Sequence, residues 1–120
     1  MAIESYRDLR VWQEAMELAE ACYRISKAVP ASEGYGLTSQ VRRSSASVPA
    51  NIAEGYGRGA TGSYTHFLKV ARGSLKELET HLLLAGRVEV ADAKLLEPLL
   101  ERSAALGKML NRLIQSVEIN

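Results

Sequence analysis

The chain has 120 residues, a formal net charge of +1 at pH 7, and one each of cysteine, tryptophan and phenylalanine. That length suffices for one real hydrophobic core, and so small a charge sets up no global field that would favour nucleic acid or a membrane surface. A lone cysteine excludes an internal disulfide and fits a reducing compartment. With no secretory signal in Met1–Glu4 and no apolar run near the ~18 residues of a membrane span, the expectation is a soluble cytoplasmic protein with a single domain over residues 1–120.

The first predicted helix runs from about Tyr6 to Val29. Ser5 and Asp8 have the S-x-x-D form of a capping signal, and Pro30 stops the pattern. Leu9, Trp12, Met16, Ala19 and Tyr23 form one apolar stripe at steps of three and four. Val11, Ala15, Leu18, Cys22 and Ile25 form a second stripe beside it. Together they cover about half the circumference, more than the ~100° arc one core needs.

The second predicted helix spans about Leu37 to Gly57. Leu37, Val41, Val48, Ile52 and Tyr56 share one side, and Gln40, Arg43, Ser47, Asn51, Glu54 and Arg58 the other. Pro49 falls in its middle, where it removes a backbone bond and crowds the Ser45 carbonyl, at ~3 kcal/mol unless context offsets it. The expectation is a helix kinked at the proline but continuous, with a break at Val48 as the alternative. Gly57-x-Gly59-x-x-Gly62 has the letters of a dinucleotide loop, but a helix precedes it where that motif requires a strand. It therefore reads as a helix exit and turn, with Gly55 as a tight packing point.

The third predicted helix runs from about Thr61 to Arg87. Leu68, Ala71, Leu75, Leu78, Leu82 and Ala85 keep a heptad seam suited to long, nearly antiparallel packing. The fourth follows Asp92, a predicted N-cap, with Pro98 in its second turn. Its leucines, from Leu95 to Leu113, with Ile114 and Val117 again cover about half the circumference. Short connections make sequential helices antiparallel. The fold class is all-α: an antiparallel up-down-up-down four-helix bundle with a proline-kinked second helix.

Chemistry-bearing constellations are few. No Glu has a His three residues later, as di-metal bundles require, and His66 and His81 are about four helical turns apart. Glu77 and His81 read as a surface pair. Cys22 lies in an apolar stripe without an activating base, the setting of an inert core thiol. No metal, cofactor or catalytic set is expected. Two polar groups remain. Arg43, Asn51, Glu54 and Arg58 form a face read as structural or intersubunit, against a solvated face or a ligand site; Glu54 is placed to pair with Arg58 four residues on. Lys69, Arg72 and Lys76 are candidate nucleic-acid contacts, against a solvated face mixed with Glu77 and Glu79.

The segments "DLRVWQEAMEL" (Asp8 to Leu18), "YGLTSQVRRSSASVPANIAEGYGR" (Tyr35 to Arg58) and "FLKVARGSLKELETHLLLA" (Phe67 to Ala85) resemble the four-helix-bundle proteins named after 23S rRNA intervening sequences. The resemblance implies an up-down-up-down bundle assembled as a ring-shaped homopentamer. That family is also similar to the accessory proteins of diversity-generating retroelements, which are basic; the near-neutral charge here departs from them.

Periodicity adds an independent expectation. Helices one and four carry more apolar surface than a monomer hides. The expected contacts are helix one's second stripe and the outer rows of helix four, such as Leu96, Leu100 and Ile114. Two different surfaces meeting head-to-tail close into a ring when the rotation permits. The expected function is a non-catalytic self-assembling scaffold or adaptor with a protein partner. The alternative is an RNA- or DNA-binding accessory protein using a basic face.

Overall fold

The computed structural model describes residues 2–119; Met1 and Asn120, part of the expected 1–120 domain, lie outside the described residues. A 3-10 turn, Tyr6–Asp8, precedes four α-helices: α1 Arg10–Ser26, α2 Ala31–Arg58, α3 Thr61–Arg87 and α4 Ala93–Ile119. There is no strand among the described residues. The molecule measures 47 × 24 × 19 Å. Its long axis is close to the ~40 Å of a single 27-residue helix, so the bundle is one helix long.

Helix starts and stops follow local chemistry, with two departures from the sequence expectation. The Ser5–Asp8 capping box forms, but it caps the 3-10 turn: Arg7 N donates to Ser5 Oγ, and Asp8 Oδ2 accepts from Ser5 N at 3.1 Å. Leu9 is extended, so α1 starts anew at Arg10, and Gln13 Nε2 reaches back to the Arg7 carbonyl. The first helix is thus two pieces, and α1 ends at Ser26, before a turn that leads to Pro30. Pro30 is the N-cap residue of α2, which begins earlier than Leu37. Downstream, Gly59 adopts φ +79°, the left-handed conformation that ends a helix without a Cβ clash. Asp92 caps α4, its Oδ1 accepting from Lys94 N at 2.9 Å.

The helix α2 continues through Pro49. Non-helical dihedrals occur within it at Gly34 (φ −150°, ψ 20°), where a Cβ would come within 2.7 Å of Val90 Cγ1 and 2.8 Å of Val29 Cγ1. The first turn of α2 therefore bends over the α3–α4 connection at a residue with no side chain. Ser44 and Ser45, one turn before Pro49, turn their hydroxyls onto the carbonyls of Gln40 and Arg42 and so remain satisfied while buried.

Adjacent pairs are α1–α2, α2–α3, α3–α4 and α4–α1. Partners meet in opposite chain order: Gly55 lies against Phe67 while Ser47 meets Ser74, and Lys69 reaches Glu118 while Arg72 reaches Asn111. That is the order an antiparallel pair produces. The heptad seam of α3 (Leu68, Ala71, Leu75, Leu78, Leu82 and Ala85) is buried throughout. It packs with Val48 and Ile52 of α2 and Leu106 and Leu110 of α4 in one continuous core.

The contribution of α1 to that core corrects the expectation. Val11, Ala15, Leu18 and Cys22, read from periodicity as the spare stripe, are its buried face. Met16 and Tyr23 turn outward, Met16 being 44% exposed, whereas Ala19 of the same stripe is buried and Trp12 packs half-buried against the core. In α4 the expected outer rows are likewise inside: Leu96 and Ile114 are buried and Leu100 is half-buried. Both stripes on each helix are real; periodicity could not say which of two equal rows faces inward.

Candidate functional site

The residues of the α2 polar face do not form one constellation. Asn51 works inside the bundle: its Nδ2 donates to the Ser47 carbonyl at 2.8 Å and to Ser47 Oγ at 2.9 Å, and the Ser47 and Ser74 hydroxyls bond at 2.8 Å. The chain Asn51–Ser47–Ser74 stitches α2 to α3 where small residues bring the helices close. Glu54 and Arg58 form a separate pair, both Arg58 Nε (3.0 Å) and NH2 (2.8 Å) donating to Glu54 Oε2. The Arg58 guanidinium also lies 5.0 Å from the Phe67 ring centroid. Arg43 stands about two turns before Asn51, bonded only weakly to Ser39 Oγ at 3.4 Å.

The Glu54–Arg58 pair is exposed, so water screens it. Glu54→Ala is expected to change single-chain stability by less than about 0.5 kcal/mol in urea denaturation. A larger loss that grows with protein concentration would assign the pair to a subunit contact.

The basic residues of α3 are occupied. Lys69 Nζ lies 2.9 Å from Glu118 Oε2, Lys76 Nζ 3.1 Å from Glu79 Oε1, and Arg72 donates to Asn111 Oδ1 at 3.1 Å. Lys69 and Arg72 reach across to α4, Lys76 pairs within α3, and the two lysines are neutralised by carboxylates of the same chain. A phosphate backbone would have to displace Glu118 and Glu79 to reach them.

Cys22 is fully buried, and burial pushes its thiol up to about 12, against the opposing effects of a Ser45 hydrogen bond and the Arg102 charge. The thiolate is the nucleophile, so this sulfur is inert at neutral pH. The unfolded thiol ionises near 9.0. Below that pH both states are protonated; above it the unfolded state loses its proton first, so folding stability falls by up to ~1.4 kcal/mol per pH unit for this one group. Cys22→Ala should flatten the decline of stability between about pH 9 and 11 in chemical denaturation. Native protein at pH 8 should leave Cys22 unlabelled by a thiol reagent that reacts fully in denaturant. Beside Cys22, Val41 and Leu99 line a small apolar cavity of ≈ 30 Å³. No group of three or more His, Cys, Asp or Glu able to hold a metal occurs among the described residues. No helix among them is long and apolar enough to cross a membrane.

What the surface does present is apolar. Trp12, Met16, Ala19 and Tyr23 of α1 face Ala46, Pro49, Ala50 and Ala53 of α2 across an open groove of ≈ 600 Å³. The alanines keep the floor low, and Tyr6 closes one end, its ring edge-on to Trp12 at 5.2 Å. A second groove of ≈ 310 Å³ lies between α3 and α4, bounded by Leu83, Gly86, Leu96 and Leu100. Leu83 is 54% exposed and Leu84 beside it 45%. Because α1–α2 and α3–α4 are opposite edges of the bundle, the two grooves open on opposite sides.

Residues 7–112 match the family described as 23S rRNA-intervening sequence protein. The chain belongs to that family. No curated protein matches it. Among solved structures it is similar to a protein of unknown function from the S23 ribosomal protein family of Bacteroides thetaiotaomicron, at 24% identity and a TM-score of 0.79. That likeness covers 87% of this chain and 97% of the other and extends to the fold alone.

Proposed function

We propose that this family member is a non-catalytic, self-assembling scaffold or adaptor that closes head-to-tail into a ring, a homopentamer by the resemblance noted above. The observation that carries the reading is the pair of unlike apolar grooves on opposite sides of one bundle. A surface rich in Trp, Met and Tyr is the composition that interface centres favour. A contact between two different surfaces leaves each unsatisfied at the ends of any open chain, and closure satisfies both. The ring then presents the polar outer faces of several copies to a protein partner in the cytoplasm, where a buried reduced Cys22 would persist.

Light scattering at micromolar concentration tests the assembly. The expected mass is a multiple of the chain, five by resemblance. A single-chain mass removes the proposal, and a dimer removes the ring. The nucleic-acid reading ranks second, because Lys69, Arg72 and Lys76 are already engaged within the chain. Binding to mixed-sequence RNA across a salt series decides it: affinity falling steeply with salt would favour that reading, and no binding at low salt would end it.

A further inference from the structure

At one end of the α1–α2 edge, beyond the apolar groove, lies a polar cleft of ≈ 310 Å³ lined by Tyr23, Tyr35, Thr38, Ser39, Arg42 and Arg43. Two adjacent arginines meet there, and neither has a carboxylate partner among the described residues. Glu20, one turn before Tyr23, is held by Arg24 at 3.2 Å. An arginine that merely solubilises a surface extends freely into water. Arg42 does not: it is half-buried, its Nε donates to Ser26 Oγ at 2.7 Å, and its guanidinium lies 5.3 Å from the Tyr23 ring centroid. Ser26 is itself buried and donates to the Tyr23 carbonyl at 2.8 Å, so the whole assembly is fixed to the end of α1. The remaining guanidinium nitrogens of Arg42 are thereby preoriented, with the positive charge partly removed from water and paired with no carboxylate among the described residues. Such a charge calls for an anion.

We propose that this cleft binds a nucleoside monophosphate, the phosphate between Arg42 and Arg43 and the base against Tyr35. Two guanidinium groups match a dianionic phosphate, whereas one fork satisfies a carboxylate. Thr38 and Ser39 add hydroxyl donors for the further oxygens that a tetrahedral anion presents. One face of Tyr23 is taken by Arg42, but Tyr35 is 75% exposed and offers a free ring to a planar base. The volume sits at the small end of ligand sites, roughly 300–1,000 Å³. All these groups come from one chain, so a single chain is enough to build the site, although Tyr23 also borders the apolar groove.

Titration calorimetry with AMP as the probe tests the proposal. AMP should saturate the full chain below about 1 mM, with adenosine and inorganic phosphate each weaker by roughly tenfold or more. Arg42→Gln and Arg43→Gln should each weaken AMP by roughly tenfold, and Tyr35→Ala by several-fold. Lys108→Gln, an equal loss of charge elsewhere, should leave binding unchanged, and circular dichroism confirms that every variant is folded. Binding should persist in a variant made single-chain by a substitution in the α1–α2 groove. No saturation by about 10 mM AMP would overturn the site. So would adenosine or phosphate binding as tightly as AMP, phenyl phosphate matching AMP, a 5′-phosphorylated RNA binding where AMP does not, or loss of binding in the single-chain variant.

Discussion

Met16→Glu is expected to reduce the assembly to single chains without unfolding them. Met16 stands within the α1–α2 groove, about one turn beyond Trp12, and is 44% exposed in the lone chain. A glutamate there meets water in the monomer, so the fold should change in stability by no more than about 0.5 kcal/mol. In a subunit contact the same carboxylate would be buried against Ala50 and Tyr23 of its own chain with no cation built to receive it. Burying an unpaired charge costs several kcal/mol, so the association constant should fall at least ~100-fold. Leu83→Glu should do the same from the opposite edge. Mixing the two variants tests the head-to-tail geometry directly. Each keeps one intact surface, so together they should form a 1:1 pair and nothing larger, read by native mass spectrometry. A symmetric contact gives a different pattern: Met16→Glu would dissociate it alone, Leu83→Glu would leave it whole, and the mixture would yield no heteromer.

How much of this was legible beforehand depends on which physical signal each feature carries. The α3 seam was readable residue by residue, because only one apolar row runs the length of that helix and it must face inward. Gly55 as a packing point and Gly59 as a helix exit were readable from glycine's missing side chain. The row of α1 that points inward was not, because two apolar rows of equal length give equal periodicity. Small Ala15 and Cys22 sit fully buried in the inward row, whereas Met16 and Tyr23 of the other row stay exposed. The split at Leu9 was hidden by a capping signal that is genuine but closes a single 3-10 turn. The Arg42–Ser26–Tyr23 arrangement was invisible because it joins positions 16 and more residues apart across a turn. Arg42 sat unremarked next to Arg43, with helical periodicity assigning it to neither face. The sign that could have prompted a look is the Arg42-Arg43 dipeptide itself, because adjacent helical residues point about 100° apart and the two charges cannot share one narrow face.

Two glycine substitutions should move stability in opposite directions. In both cases alanine gains up to about 1 kcal/mol of intrinsic helix preference, because glycine loses more backbone freedom on folding. At Gly73, exposed in the middle of α3, an added Cβ meets nothing within 4 Å, so the gain should appear nearly intact. At Gly55 the Cβ would stand 2.8 Å from Phe67 Cβ and 3.2 Å from the Tyr64 carbonyl oxygen. Neither atom can rotate out of the way: one is fixed to the α3 backbone and the other is part of it. Relief requires α2 and α3 to separate, which strains the Ser47–Ser74 hydrogen bond of 2.8 Å that spans the same interface. Overpacking of this kind costs about 1–3 kcal/mol and outweighs the helix gain. Gly55→Ala should therefore lower the urea midpoint by a net ~1–2 kcal/mol of stability while Gly73→Ala raises it. Changes of the same sign in the two variants would mean that α2 and α3 are not held at this close approach.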